Sequence, residues 1–310
     1  PYTPPPLLLD ESELAADARV SVEIADPALC PRYTARVIDG VTHKPAPLWM
    51  QARLYRLGMR PISNIVDITN YVLLEYGHPL HAFDAEKIAG KRIVVRRARD
   101  GEEFTTLDDV PRTLDSDMLM IADAEKGIAL AGVMGGENSE VSETTESVIL
   151  ESALFDGPCI RRTSKKLGLS SEAATRFERN VRGAVVAASA RAAQLMAEYA
   201  GGTVLRGIVD VDNAPPPASF ACPINSTTSL LGMEIPGGTV DAILSCLGFA
   251  APWEDATETV RVITPPPHRI DIAEPCDIAE ELARVVGYNS FPSDEHVDYR
   301  SDVPLSEIAE

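Results

Sequence analysis

The sequence predicts an α+β fold in two domains, and three observations carry that expectation. Helical and strand-like stretches do not alternate regularly, which argues against a doubly wound parallel sheet. Three consecutive prolines at 215–217 cannot continue a helix or a central strand and mark a joint. Hydrophobic residues make up 45% of the 310, enough for a packed core and too many for a disordered chain. The expected layout is a linker over 1–19, a mixed-sheet domain over 20–212, a proline-rich joint over 213–219, a smaller α+β domain over 220–292 and an acidic tail over 293–310.

The elements follow from their punctuation. The opening PYTPPP has fixed φ and few amide donors, so it reads as extended linker. Pro47 starts a helix with Leu48, Ala52 and Tyr55 on one face, closed by Gly58. A second helix runs from Ser63 to Tyr76, with Ile65, Ile68, Val72 and Leu73 near helical spacing and Gly77 as its stop. Residues 91–98 are β-branched and read as a strand. Residues 118–122 and 127–131 flank a four-residue turn and read as a hairpin. The short apolar run 147–151 reads as a buried strand. Asp156 and Pro158 open a helix that ends near Gly168. Alanine-rich 183–199 is helical by propensity, with Gly201 and Gly202 as caps. A strand is expected over 203–211. In the smaller domain, Thr239–Leu247 reads as a helix, 259–264 as a strand, and Cys276–Val286 as a helix with Ile278, Leu282 and Val285 on one face. A helix–turn–helix can be drawn there, so this domain is expected to be winged-helix-like.

Charge is unevenly spread. The formal net charge is −19. Residues 207–310 hold 4 basic and 18 acidic side chains; 151–182 hold 7 basic and 4 acidic. Bulk charge therefore argues against a nucleic-acid coat and against DNA binding by the last third, whereas local basic stretches lie in the first two thirds. No run approaches the ~20 apolar residues of a membrane span. No secretory signal is seen, and a chain starting at Pro1 reads as cut from a longer one. Five cysteines without a CxxC suggest buried reduced thiols in a cytoplasmic protein rather than a disulfide framework or zinc ribbon.

Several motifs could carry chemistry. Residues 60–84 gather Thr69, Asn70, His78, His81 and Asp84. Two histidines three apart would share a helix face and bind a metal, but Gly77 and Pro79 break the helix there, so a metal site is the weaker reading. The stretch GlyValMetGlyGly (132–136) follows an apolar strand. It lacks the spacing of a dinucleotide fingerprint or P-loop, and read alone it is a tight turn. Glu151 ends an apolar run, so it needs a surface, a cavity or a partner; in a pocket it would accept a hydrogen bond from a hydroxyl. Residues 161–166 and 170–180 cluster cations and hydroxyls, as a solvated helix face or as phosphate contacts. No GxSxG elbow or activated cysteine is present.

In order, ArgProIleSerAsnIleValAspIleThrAsnTyrVal, HisProLeuHisAlaPheAsp, GlyValMetGlyGly, ValIleLeuGluSerAla and ThrArgPheGluArg make the chain resemble the β subunit of bacterial phenylalanyl-tRNA synthetase. They match its editing domain over about 30–210. Residues 220–292 resemble the small domain that follows, although His268 and Ile270 replace the usual tryptophan and proline. The resemblance implies proofreading: hydrolysis of tyrosine wrongly attached to the tRNA for phenylalanine. It maps the site onto Thr69, Asn70, His81, Gly132, Gly135, Glu151 and Ala173, with Arg60 in addition. Glu151 would bind the tyrosine hydroxyl, the glycine loop would wall the pocket and offer amides, and His81 and Asn70 would orient the ester and a water. The implied partners are that tRNA, tyrosine and the synthetase α subunit, with no cofactor in this region and no aminoacylation by it. A non-catalytic tRNA-binding and scaffolding module is the competing expectation.

Overall fold

The computed structural model describes residues 6–254 and 259–291. The chain divides into two compact units between Pro216 and Pro217, within the proline run. The expected acidic tail lies outside the described residues.

In chain order the first unit contains β1 (Glu11–Ala15), β2 (Ser21–Ile24), β3 (Arg32–Asp39), α1 (Leu48–Arg56), α2 (Asn64–Tyr76), β4 (His81–Asp84), β5 (Arg92–Arg97), β6 (Glu103–Thr105), β7 (Pro111–Thr113), β8 (Leu119–Ala122), β9 (Gly127–Leu130), β10 (Met134–Gly135), β11 (Ser147–Leu154), α3 (Gly157–Leu167), α4 (Glu172–Phe177), α5 (Val185–Ala200), β12 (Thr203–Arg206) and β13 (Val209–Asp212). One mixed sheet has the order β1-β12-β3-β11-β4, with β13 also on β3; a second has the order β10-β9-β8-β5-β2. β3 and β11 are buried along almost their whole length, as central strands covered on both faces must be.

Alternation along β3 and β11 divides the core in two. Tyr33, Ala35, Val37, Ile149 and Ala153 face the second sheet and join Met120, Ile128 and Leu130. Ile38, Val148 and Leu150 face the other way and pack on α2 and α5 through Ile65, Ile68, Val72, Ala188, Ala192 and Met196. Small alanines let α5 lie close on the sheet, and this explains an alanine-rich helix that is buried rather than merely helix-prone. α2 starts where Ser63 accepts the Val66 amide and stops at Gly77, whose φ of 69° suits glycine.

Several expectations need correction. Residues 11–15 are not linker: they form β1, parallel to β12. The strand expected over 203–211 is two strands, split at Gly207, whose φ is +78°. Leu48, Ala52 and Tyr55 do lie along one face of α1, but that face is outward; Met50 and Leu54 are the buried residues. Of the cysteines, Cys30, Cys159 and Cys222 are buried, whereas Cys246 and Cys276 are exposed; all five are free thiols.

The second unit holds β14 (Phe220–Pro223), α6 (Ile224–Ser229), α7 (Gly237–Cys246), β15 (Val260–Ile263) and α8 (Pro275–Val286). Three helices pack around the antiparallel β14–β15 pair through Cys222, Val240, Leu244, Ile263, Ile278 and Leu282. Of the three residues read on one face of α8, Ile278 and Leu282 are buried and Val285 is 46% exposed. The α+β class holds for both units.

Candidate functional site

The site is built where three adjacent strands of the first sheet turn polar. Glu151 on β11 stands directly opposite His81 on β4 in the antiparallel register. On its other side β3 places Tyr33 opposite Ala153, one diagonal step from Glu151 on the same face. The Tyr33 hydroxyl donates to Glu151 Oε2 at 2.8 Å. A phenol, a carboxylate and an imidazole thus cross the sheet in a row, all facing the second sheet.

A cavity of 60 Å³ lies against Glu151 and His81. Its remaining walls are mainly apolar: Leu80 beside His81, Ile121 and Leu130 from β8 and β9, the 132–135 turn, and Ala173 with Phe177 from α4. GlyValMetGly reverses the chain between β9 and β10, pairing Gly135 with Ala129. Gly132 sits at φ +66°, and a side chain there would press on Phe155, Phe177 and Ile160 at 3.0–3.1 Å. At Gly135 an added Cβ would come within 2.6 Å of His81 Cε1, so the imidazole rests directly on that backbone. The Val133 and Gly136 amides are spent inside the hairpin on the Leu130 and Ile128 carbonyls, so they are not open to a ligand. Ser171 fixes the last wall. It caps α4 by accepting the Ala174 amide, and its hydroxyl donates to the Val133 carbonyl at 2.8 Å, tying α4 to the glycine turn.

Burial sets the protonation states. It pushes the Glu151 carboxyl from its ordinary 4.5 up to about 7, opposed only by the Tyr33 hydrogen bond. It lowers His81 to about 4, so the ring is neutral at physiological pH. His81 is only partly buried as a residue, yet its Nε2 is shielded from solvent and has no partner among the described residues. His78, fully buried in the turn before β4, is held neutral in the same way. Among the described residues no three His, Cys, Asp or Glu side chains gather to hold a metal ion.

Of the residues singled out from the sequence, His81, Gly132, Gly135, Glu151 and Ala173 meet at this cavity. Thr69, Asn70 and Arg60 do not line it. Thr69 and Asn70 belong to α2, whose apolar side packs on the opposite face of the sheet, and the Thr69 hydroxyl donates to Val66 O within its own helix. Arg60 is exposed ahead of α2. A larger depression of 430 Å³ lies beside α3, lined by Asp117, Met118, Arg162, Thr163, Lys165 and Lys166. Its cations are on the surface, Lys166 is tied to Asp115, and its one buried polar side chain is Thr163, so no buried charged groups converge there as they do at the smaller cavity.

Comparison with known proteins follows the same lines. Residues 29–201, from just before β3 to the end of α5, match the B3/4 domain, and 220–288 match the tRNA synthetase B5 domain. The chain belongs to the B3/4 domain family. Its B3/4 and B5 domains follow each other along the chain, which is homologous to proteins named phenylalanine–tRNA ligase β subunit. It is 47% identical to the β subunit of Geobacter metallireducens over 291 residues, covering 91% of this chain and 35% of that protein. For Moorella thermoacetica the identity is 48%, over 88% of this chain and 34% of the relative. For Bacillus licheniformis it is 46%, over 91% and 35%. The chain thus spans about a third of the length of the curated relatives it matches. A solved N-terminal fragment of the Pyrococcus horikoshii β subunit aligns over 92% of this chain at 15% identity with a TM-score of 0.44, too distant to draw on. The cavity lies wholly within the B3/4 domain. So do Tyr33 and Ser171, which sequence reasoning missed; Ser171 carried a visible signal, as a serine directly before a short helical run.

Proposed function

We propose that the B3/4 domain is a hydrolytic editing site that removes tyrosine from the tRNA for phenylalanine, as part of a phenylalanine–tRNA ligase β subunit. The observation behind this reading is Glu151, a buried carboxylate facing a mainly apolar cavity with one oxygen already hydrogen-bonded. Phenylalanine and tyrosine differ by a single hydroxyl. A site with a buried acceptor for that hydroxyl binds tyrosine and leaves the acceptor unpaired against phenylalanine, a difference on the order of 10⁴-fold in favourable cases. The cavity offers no serine or cysteine nucleophile, so the ester is cleaved by water. The neutral His81, with a shielded Nε2, orients that water or takes its proton. Positioning and a dry wall of Leu130, Val133 and Phe177 supply the rest.

On this reading the tRNA and the synthetase α subunit are partners, the protein works in the cytoplasm, and editing needs no cofactor. The exposed Arg161, Arg162 and Lys165 of α3 are the candidate phosphate contacts. Among the described residues no helix is long and apolar enough to cross a membrane. Replacing Glu151→Ala in the parent synthetase should slow clearance of tyrosyl-tRNA about a hundredfold and spare aminoacylation. Undiminished clearance would overturn the role of Glu151. Release of free tyrosine from mischarged tRNA by this chain, above the buffer rate, would exclude a purely scaffolding role.

A further inference from the structure

We propose that Tyr33 is a specificity-determining positioning residue: its hydroxyl occupies one oxygen of Glu151 and leaves the other as the carboxylate's acceptor for a substrate hydroxyl. The inference rests on the editing reading above and assigns a part in it to a residue outside the site motifs.

Tyr33 is fully buried in β3, in the core between the two sheets. A buried phenol needs a partner for its O–H, and here the partner is Glu151 Oε2 at 2.8 Å. The bond does two things. It fixes the carboxylate plane, because an unpinned carboxylate would swing both oxygens into the cavity and accept water or ligand in several poses. It also stabilises the ionised form. The groups around Glu151 are few: Tyr33 on β3, His81 on β4, and the Cys30 thiol just before β3, which burial and the Glu151 charge together keep protonated. The other cavity walls carry no titratable side chain. Among the described residues no cation offsets the carboxylate, so the Tyr33 O–H is the group that favours its charge. The protein thereby presents to one carboxylate oxygen the same chemical group, a phenol, that the substrate presents to the other.

Tyr33→Phe removes the hydroxyl and keeps the ring, and Tyr33→3-fluorotyrosine makes the same hydroxyl a stronger donor. The Glu151 carboxyl is followed by carbon NMR titration in this chain, and hydrolysis of tyrosyl- and phenylalanyl-tRNA is measured in the parent synthetase from pH 6 to 9. For Tyr33→Phe the Glu151 midpoint should rise. The preference for the tyrosyl ester should fall about tenfold at pH 7 and recover towards pH 9, where the carboxyl ionises without help. The fluorinated protein should shift the midpoint the opposite way. An unchanged midpoint and preference in both proteins would overturn the proposal, as would an equal loss towards both esters at every pH, which marks a merely structural role. A wild-type enzyme with no preference for the tyrosyl ester would instead sink the editing reading, and that outcome is read before either variant is made.

Discussion

Two buried charges lie back to back on the central sheet of the B3/4 domain, and their surroundings differ. Arg36 on β3 points towards α5. Its Nε donates to Ser189 Oγ at 3.2 Å, and its Nη1 to Glu11 Oε1 at 3.3 Å and the Gly207 carbonyl at 3.1 Å. Glu151, on the neighbouring strand and the opposite face, has the Tyr33 hydroxyl and, among the described residues, no cation. Arg36 is satisfied by three parts of the chain far apart in sequence, and it clamps β1, α5 and the Gly207 turn to β3. Glu151 is half satisfied, and its free oxygen faces a cavity. A buried charge held by several partners is spent on the fold; one with a free oxygen facing a cavity is available for a ligand.

The sharpest way to break this contrast is Arg36→Ala. It removes the clamp and strands the groups that Arg36 satisfied, and it should lower unfolding free energy by about 4 kcal/mol in urea titrations. A loss under about 1 kcal/mol would show that water replaces the guanidinium freely. Glu151→Gln should act in the other direction. The unfolded carboxyl ionises near 4.5 and the folded one near 7. Between those values the fold must hold a proton that the unfolded chain releases, so stability falls as pH rises from about 4.5 to 7 and is flat above. At 1.36 kcal/mol per pKa unit the glutamine variant should gain up to about 3 kcal/mol on wild type at pH 8 and little at pH 4. Parallel stability curves for the two proteins across that range would refute the burial argument.

A smaller effect is expected at the cavity wall. Gly135→Ala forces His81 off the backbone it rests on and should slow tyrosyl-ester hydrolysis on the order of tenfold, with about 1–2 kcal/mol of destabilisation. Gly40→Ala is the matching test away from the site. Its φ of +72° is strained for alanine, but its surroundings are open, so about 1 kcal/mol of stability is lost and hydrolysis is unchanged.

These contrasts explain what the sequence could reveal. α2 was legible because its start and stop are local: Ser63 caps it and Gly77 ends it. The β8–β9 hairpin was legible because its strands are separated by four residues. The central strand β3 was not read at all, since Arg32, Thr34 and Arg36 make its alternation look like a solvated strand. β1 was mistaken for linker because its partner β12 lies some 190 residues on. The exposed face of α1 was misjudged for another reason: a nine-residue helix carrying Leu48, Met50, Leu54 and Tyr55 has two apolar sides, and only packing on α2 selects one. At the site, motifs named the residues at hand, but the pairing of Tyr33 with Glu151 spans 118 positions and leaves no local trace.

The register of β11 against β4 has a consequence for how such a site can vary. Glu151 and His81 sit on facing positions of one ladder, so their spacing is set by backbone hydrogen bonds and not by the 69 residues of chain between them. That intervening stretch includes β5, β8, β9 and β10 of the second sheet and their turns. Insertions or deletions at a surface turn such as 123–126 therefore change the length of the protein without moving the carboxylate relative to the imidazole. A slip of one residue between β11 and β4 would turn one of the two side chains away from the cavity. The site is insulated from drift in loop length and exposed to errors in strand pairing.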